Sequence, residues 1–169
     1  MNSVTDRRET ALSAEELTAW TQQYAAEVRA GRHPVHADSQ QRWHVRLHAD
    51  DRADVWLISW TTEQGTELHD HGDSAGAFTV VDGELTESLW TPDGLTDIFR
   101  SRGETVVFDR RYVHDVRNHA ERTAVSVHVY SPPLTLMHYY EVADGELVRR
   151  DSLWTDDPEA AAPRRTADR

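Results

Sequence analysis

The sequence predicts a mainly β protein, a jelly-roll barrel preceded by one helix. Three observations predict it. A single stretch near the N-terminus has a helical period. From residue 42 onward the period falls to two. Glycine-containing turn signals then separate one short strand-like run from the next.

The helix is marked at its start by Ser13-Ala-Glu-Glu16, a capping box in which Ser13 and Glu16 satisfy each other's backbone N–H groups. Leu17, Trp20, Tyr24, Ala25 and Val28 follow at helical spacing, and Gly31 is a stop signal. The expected helix covers residues 14–30. The strands begin with the alternating Arg42-Trp-His-Val-Arg-Leu47. Val55-Trp-Leu-Ile-Ser-Trp60 is apolar on both faces and is expected in the interior of a sheet. Further runs cover 67–71, 77–81, 84–90, 95–100, 105–108, 115–118, 124–130 and 136–142. Turns at Asp82-Gly83, Pro92-Asp93-Gly94 and Arg102-Gly103 separate several of them. The expected organisation is a disordered leader (1–12), one barrel domain (13–154) and a disordered tail (155–169), the tail because it is rich in Ala, Pro, Asp and Arg.

The chain has 169 residues and fits a single core. Its net charge of −12 argues against nucleic acid and anionic membrane as partners. It contains no cysteine, so any mechanism that uses a protein thiol is excluded. No run approaches the roughly 18 apolar residues of a membrane span, and the first residues lack the apolar stretch of a secretory signal. A soluble cytoplasmic protein, a monomer or small homo-oligomer, is the expectation.

His69-Asp70-His71 carries the chemistry. Residues i and i+2 of a strand point to one face, about 7 Å apart along it, so two imidazoles there can converge on one metal. Gly65 precedes the pair, and Gly76 and Gly83 follow it. Downstream come Gly103, His114 and Asn118. These two blocks resemble the two motifs of the cupin superfamily, with His114 as the third ligand. Gly76 occupies the place where most cupins have a glutamate ligand. Three neutral imidazoles without a carboxylate leave the charge of a divalent metal uncompensated, which favours an anionic partner such as a thiolate. Imidazole alone does not choose among Fe, Zn, Cu and Ni.

Three stretches narrow the resemblance. They are Trp60 with His69-Asp70-His71, His114-x3-Asn118, and Ser126-Val-His128-Val-Tyr130-Ser-Pro-Pro133. Together they resemble the cysteine dioxygenase family over roughly residues 42–141. The resemblance implies Fe(2+) held by His69, His71 and His114, with Ser126, His128 and Tyr130 as a hydrogen-bonded chain beside it. It also implies oxidation of a small thiol carboxylate, cysteine first, by O2 to a sulfinic acid. Mammalian-type members carry a crosslinked cysteine at the position of Gly76. That crosslink is impossible here, which keeps 3-mercaptopropionate open as the substrate. The family's carboxylate-binding arginine is expected at Arg46, ahead of Arg42, both on the strand face that also carries His44. Two readings of other classes are a zinc or nickel hydrolase or isomerase, and a non-catalytic cupin that binds a small molecule.

Overall fold

A computed structural model describes residues 10–164. The helix α1 runs from Ala14 to Arg29. Ser13 caps it in the expected box: the Glu16 N–H donates to Ser13 Oγ at 3.2 Å, and the Ser13 N–H donates to Glu16 Oε2 at 2.8 Å. Such a cap is worth about 1 kcal/mol. The strands are β1 (His44–Ala49), β2 (Asp54–Trp60), β3 (His69–Asp70), β4 (Ala75–Asp82), β5 (Glu84–Thr91), β6 (Gly94–Ser101), β7 (Thr105–Phe108), β8 (His114–Arg117), β9 (Ala124–Ser131), β10 (Leu136–Ala143) and β11 (Glu146–Trp154). They form two antiparallel sheets, ordered β1-β2-β9-β4-β7 and β11-β10-β3-β8-β5-β6.

The doubly apolar β2 has its explanation in this layout. Trp56, Ile58 and Trp60 point between the sheets and pack with Phe78, Leu85 and Tyr130. Val55 and Leu57 point the other way, to a second core with Leu17, Ala25 and Val28 of α1. One sheet face lines the barrel, and the other is covered by the helix. Alternation along each strand therefore sorts side chains between two apolar environments rather than between core and water.

Two features depart from the expected outline. β11 was not foreseen. It forms a hairpin with β10 through Asp144-Gly145, both at positive φ (52° and 79°), the backbone that a tight two-residue turn demands. The ends of the expected domain also differ. Residues 1–9 and 165–169 lie outside the described residues. Within the expected leader, Leu12 is buried and its N–H donates to Ser131 Oγ at 2.7 Å. Within the expected tail, residues 155–164 lie against the barrel. Thr155 N–H donates to the Thr135 carbonyl, Tyr139 Oη donates to the Ala160 carbonyl at 2.5 Å, and Ala162 packs against the inner core. The partners of this segment are an arginine and a tyrosine far away in the chain. No helix among the described residues is long and apolar enough to cross a membrane.

Candidate metal centre

His69 sits in β3 between β10 and β8, directly across the ladder from His114. His71 follows the end of that short strand. Asp70, between them, holds the turn that follows: it accepts the Gly72 N–H at 2.9 Å on one oxygen and the Tyr140 hydroxyl at 2.6 Å on the other. Gly72 has φ +59°, and a Cβ there would lie 2.7 Å from the Leu136 carbonyl oxygen, so glycine suits the turn on both counts.

The three histidines converge. All are buried, and one ring nitrogen from each lies within 4.8 Å of the others. Nε2 of His69 and Nε2 of His71 are 3.2 Å apart. Burial disfavours positive charge here: it lowers the His69 pKa to about 3, helped by the neighbouring His114, and drives His71 well below its usual value. The rings of His69 and His71 are therefore neutral donors. His69 Nδ1 bonds the Glu67 carbonyl at 2.6 Å, so that nitrogen carries the proton and Nε2 presents its lone pair. His114 Nδ1 donates to Glu87 Oε1 at 2.9 Å with the same result. His71 Nδ1 is buried without a partner. Three buried imidazoles that bring ring nitrogens this close, two of them held uncharged by burial, fit a divalent metal better than they fit one another.

Glu87 is a part of the centre that sequence reading missed. It is fully buried and accepts from His114 Nδ1, from the Tyr112 hydroxyl at 2.7 Å and from Arg100. Burial pushes its carboxyl up, but those three bonds outweigh it and hold the pKa below the ordinary value. A carboxylate bonded to the far nitrogen of a metal-binding imidazole fixes its tautomer and orientation. A signal was present in the sequence. Leu85, Glu87 and Leu89 alternate, which puts Glu87 on the same face as a core leucine.

Gly76 explains why the ligand set stops at three. A Cβ there would lie 2.6 Å from Phe108 Cζ and 2.6 Å from the Val129 carbonyl oxygen. Phe108 fills the space that a ligand side chain would need, and its ring stacks on His71 at 5.0 Å. The Tyr130 ring contacts His71 as well, at 4.7 Å. Burial raises the Tyr130 pKa well above normal, and the carboxylates of Glu159 and Asp54 add to it, so the hydroxyl keeps its proton.

Ser126, His128 and Tyr130 share the inner face of β9, as alternation requires. The bonding differs from the chain that the resemblance implies. Trp60 Nε1 donates to Ser126 Oγ at 2.9 Å, and Ser126 Oγ bonds His128 Nε2 at 2.7 Å. His128 meets Tyr130 through its ring, at 6.4 Å between centroids, and stacks on Phe78 at 5.3 Å. Its pKa is lowered to about 3 by burial, so it too is neutral. Asn118 is no ligand. It donates to the Trp60 and Arg122 carbonyls and ties the loop after β8 to the end of β2.

The two arginines divide. Arg46 lies over the Trp56 ring at 4.6 Å, pairs with Asp156 at 3.0 Å and is partly exposed. Arg42 lies over the Trp60 ring and lines, with His69 and Gly65, a cavity of about 290 Å³ closed on one side by Met137 and Tyr139. Of the two, Arg42 is the one that lines the cavity beside His69. The physical reason is register: β1 starts only at His44, so Arg42 precedes the ladder and its side chain turns toward β3. The cavity's remaining wall is the C-terminal segment, Pro158 and Ala160–Ala162.

Comparison with known proteins bears on the fold and the family. Solved structures share the fold at low identity. An RmlC-like cupin protein from Desulfovibrio desulfuricans superposes with a TM-score of 0.52 at 22% identity, covering 60% of this chain and 92% of that one. Oxalate oxidase in complex with glycolate gives 0.53 at 15% identity, covering 64% and 60%. Among curated sequences, cysteine dioxygenase type 1 of Bos taurus is 27% identical over 148 residues, which is 79% of this chain and 72% of the relative. The Danio rerio protein of the same name is 30% identical over 103 residues, 54% of this chain and 51% of the relative, so the match to several such relatives spans about half their length. The family model described as cysteine dioxygenase type I matches residues 6–143. With most of its length matched and a buried three-histidine centre at the heart of the match, this chain belongs to the cysteine dioxygenase family.

Proposed function

We propose that the chain is an iron(II)-dependent thiol dioxygenase that converts a small thiol carboxylate and O2 to the sulfinic acid, with cysteine as the first candidate substrate. The observation that carries this reading is the convergence of three buried imidazoles, with no carboxylate among them, beside a protonated tyrosine. The balance is simple. The thiol sulfur loses four electrons, O2 gains them, and both oxygen atoms end on sulfur.

Iron(II), which His69, His71 and His114 would hold, would supply the redox chemistry and a positive charge for the thiolate. The protein's own residues do the rest. Arg42 receives the substrate carboxylate in the two-bond fork of its guanidinium, which stays charged inside a cavity. Tyr130 keeps its hydroxyl proton and donates it in a hydrogen bond to the substrate or to the dioxygen. Ser126 accepts from the Trp60 N–H, so its own hydrogen serves His128 Nε2 and fixes the ring that packs on Tyr130. Phe108 and Tyr130 flank His71 with apolar surface and keep water from that side. Glu87 holds His114 in the tautomer that offers Nε2.

The test is O2 consumption by the iron-loaded protein against cysteine, 3-mercaptopropionate, cysteamine and mercaptosuccinate, with mass analysis of products. The expected product carries two atoms from ¹⁸O2. A preference for 3-mercaptopropionate would redirect the substrate assignment, and it would fit the glycine at position 76. No uptake with any thiol would refute the reading.

A further inference from the structure

The C-terminal segment places a row of acids against Arg42, His44 and Arg46. Arg42 Nε donates to Glu159 Oε2, while Arg42 Nη1 donates to the Gly65 carbonyl. Two residues further on, His44 Nε2 lies 3.2 Å from Asp157 Oδ1. Two more, and Arg46 Nη2 bonds Asp156 Oδ2 at 3.0 Å. Arg42, His44 and Arg46 follow one another at every second residue along the N-terminal edge of the first sheet, and Asp156, Asp157 and Glu159 run the opposite way against them. The segment is built to stay there. Asp157 N–H bonds Thr155 Oγ1, Glu159 N–H bonds Asp157 Oδ1, Ala162 N–H bonds Glu67 Oε2, and Pro158 is buried. The Glu159 side chain is only 6% exposed. A buried carboxylate of this kind needs its cation, because an unpaired one would be strongly disfavoured.

From this geometry we infer that Glu159 is a specificity-determining residue: a tethered carboxylate that holds Arg42 until a substrate carboxylate takes its place. The inference rests on the proposed role of Arg42. The exchange is balanced in charge. The guanidinium trades one carboxylate for another, the segment 155–164 swings toward solvent, and Glu159 regains its water. A ligand without a carboxylate has nothing to trade, so it meets an occupied arginine and an intact wall. The tether makes Glu159 a competitor at high local concentration, and an incoming acid's apparent affinity falls by the fraction of molecules in which Arg42 is free. If about one molecule in ten is open, removing the competitor improves apparent affinity about tenfold.

The test has two arms on the full-length protein. In the first, hydrogen exchange of residues 155–164 is followed by mass spectrometry on iron-loaded protein kept without O2. The additions are 3-mercaptopropionate, cysteamine, propionate, or sodium chloride at matched ionic strength. The expected result is exchange at least tenfold faster with either carboxylate and unchanged with cysteamine or salt. Exchange that stays slow or slows further at saturating 3-mercaptopropionate and propionate overturns the inference. In the second arm, Glu159→Gln is compared with wild type in O2 uptake. The Michaelis constant for 3-mercaptopropionate is expected to fall about tenfold. A rise would make Glu159 a support for Arg42 instead of its competitor, and would overturn the inference. If no thiol is oxidised, the proposed function fails. The propionate arm then still decides the exchange, because it needs neither sulfur nor turnover.

Discussion

Glu87 Oε1 lies 2.9 Å from His114 Nδ1, and that one bond joins the metal centre to a buried ionic cluster with Tyr112 and Arg100. Glu87→Gln keeps the shape but removes the charge, and it presents either an N–H or a weaker acceptor to the imidazole. Metal affinity is expected to fall ten- to a hundredfold, about 1.4 to 2.7 kcal/mol. Tyr112→Phe, which leaves His114 bonded, should cost less. Competition with a chelator for Co(II) or Fe(II), with circular dichroism to check folding, reads both. Equal affinities for wild type and Glu87→Gln would remove Glu87 from the centre.

Loss of any one of His69, His71 or His114 should abolish stoichiometric iron. About one iron per chain is expected in the wild type after anaerobic loading, measured by elemental analysis. Metal that binds only the folded form also stabilises it, by about 2.7 kcal/mol at a hundredfold excess over Kd. Thermal melts of wild type should therefore respond to iron, and those of His114→Ala should not. Full iron in His114→Ala would overturn the ligand set.

Arg42→Ala should raise the Michaelis constant for thiol carboxylates and leave iron content unchanged, since Arg42 lines the cavity and is not one of the three converging histidines. Losing a charge-assisted fork is worth about 1.5–3 kcal/mol, or roughly ten- to a hundredfold. Arg46→Ala should behave nearly as wild type in steady-state assays, because its guanidinium lies over Trp56 and faces Asp156. The reverse pattern would return the anchor to Arg46.

Tyr130→Phe should keep iron and lower turnover or the fraction of O2 coupled to product. The ring contact with His71 survives, and only the hydroxyl is lost. Coupling is read by comparing O2 consumed with sulfinate formed. An unchanged rate and unchanged coupling would leave Tyr130 as a packing residue.

Asp54 gives a pH signature separate from catalysis. Burial pushes its pKa up to about 6, against the Trp56 N–H bond and the Arg46 charge that pull it down. An unfolded Asp titrates near 3.9. Between about pH 3.9 and 6 the folded protein binds the extra proton, so stability falls as pH rises through this window. Above it the full penalty applies, about 3 kcal/mol for two pKa units. Asp54→Asn should thus stabilise the protein at pH 8 and make little difference near pH 3.5. Urea melts at both values test it, and equal effects at the two would contradict it.

Much of this protein was legible in its residues, for local reasons. The capping box at Ser13 and the spacing of Leu17, Ala25 and Val28 determine the helix within its own few turns. Strand alternation determines that His69 and His71, or Ser126, His128 and Tyr130, share a face, because a β-strand has period two whatever surrounds it. The tertiary structure decided what those faces meet. His114 becomes a partner of His69 only through the pairing of β3 with β8. Alternation places Glu87 on a core face, but only that same sheet sets it against His114. Where the guanidiniums of Arg42 and Arg46 come to lie depends on where β1 begins, which no period encodes. Arg42 and Glu159 are 117 residues apart. A composition of Ala, Pro and Asp cannot announce that one carboxylate among them is held by a cation at the mouth of the barrel, because ion pairing between distant segments depends on folded geometry and leaves no local pattern.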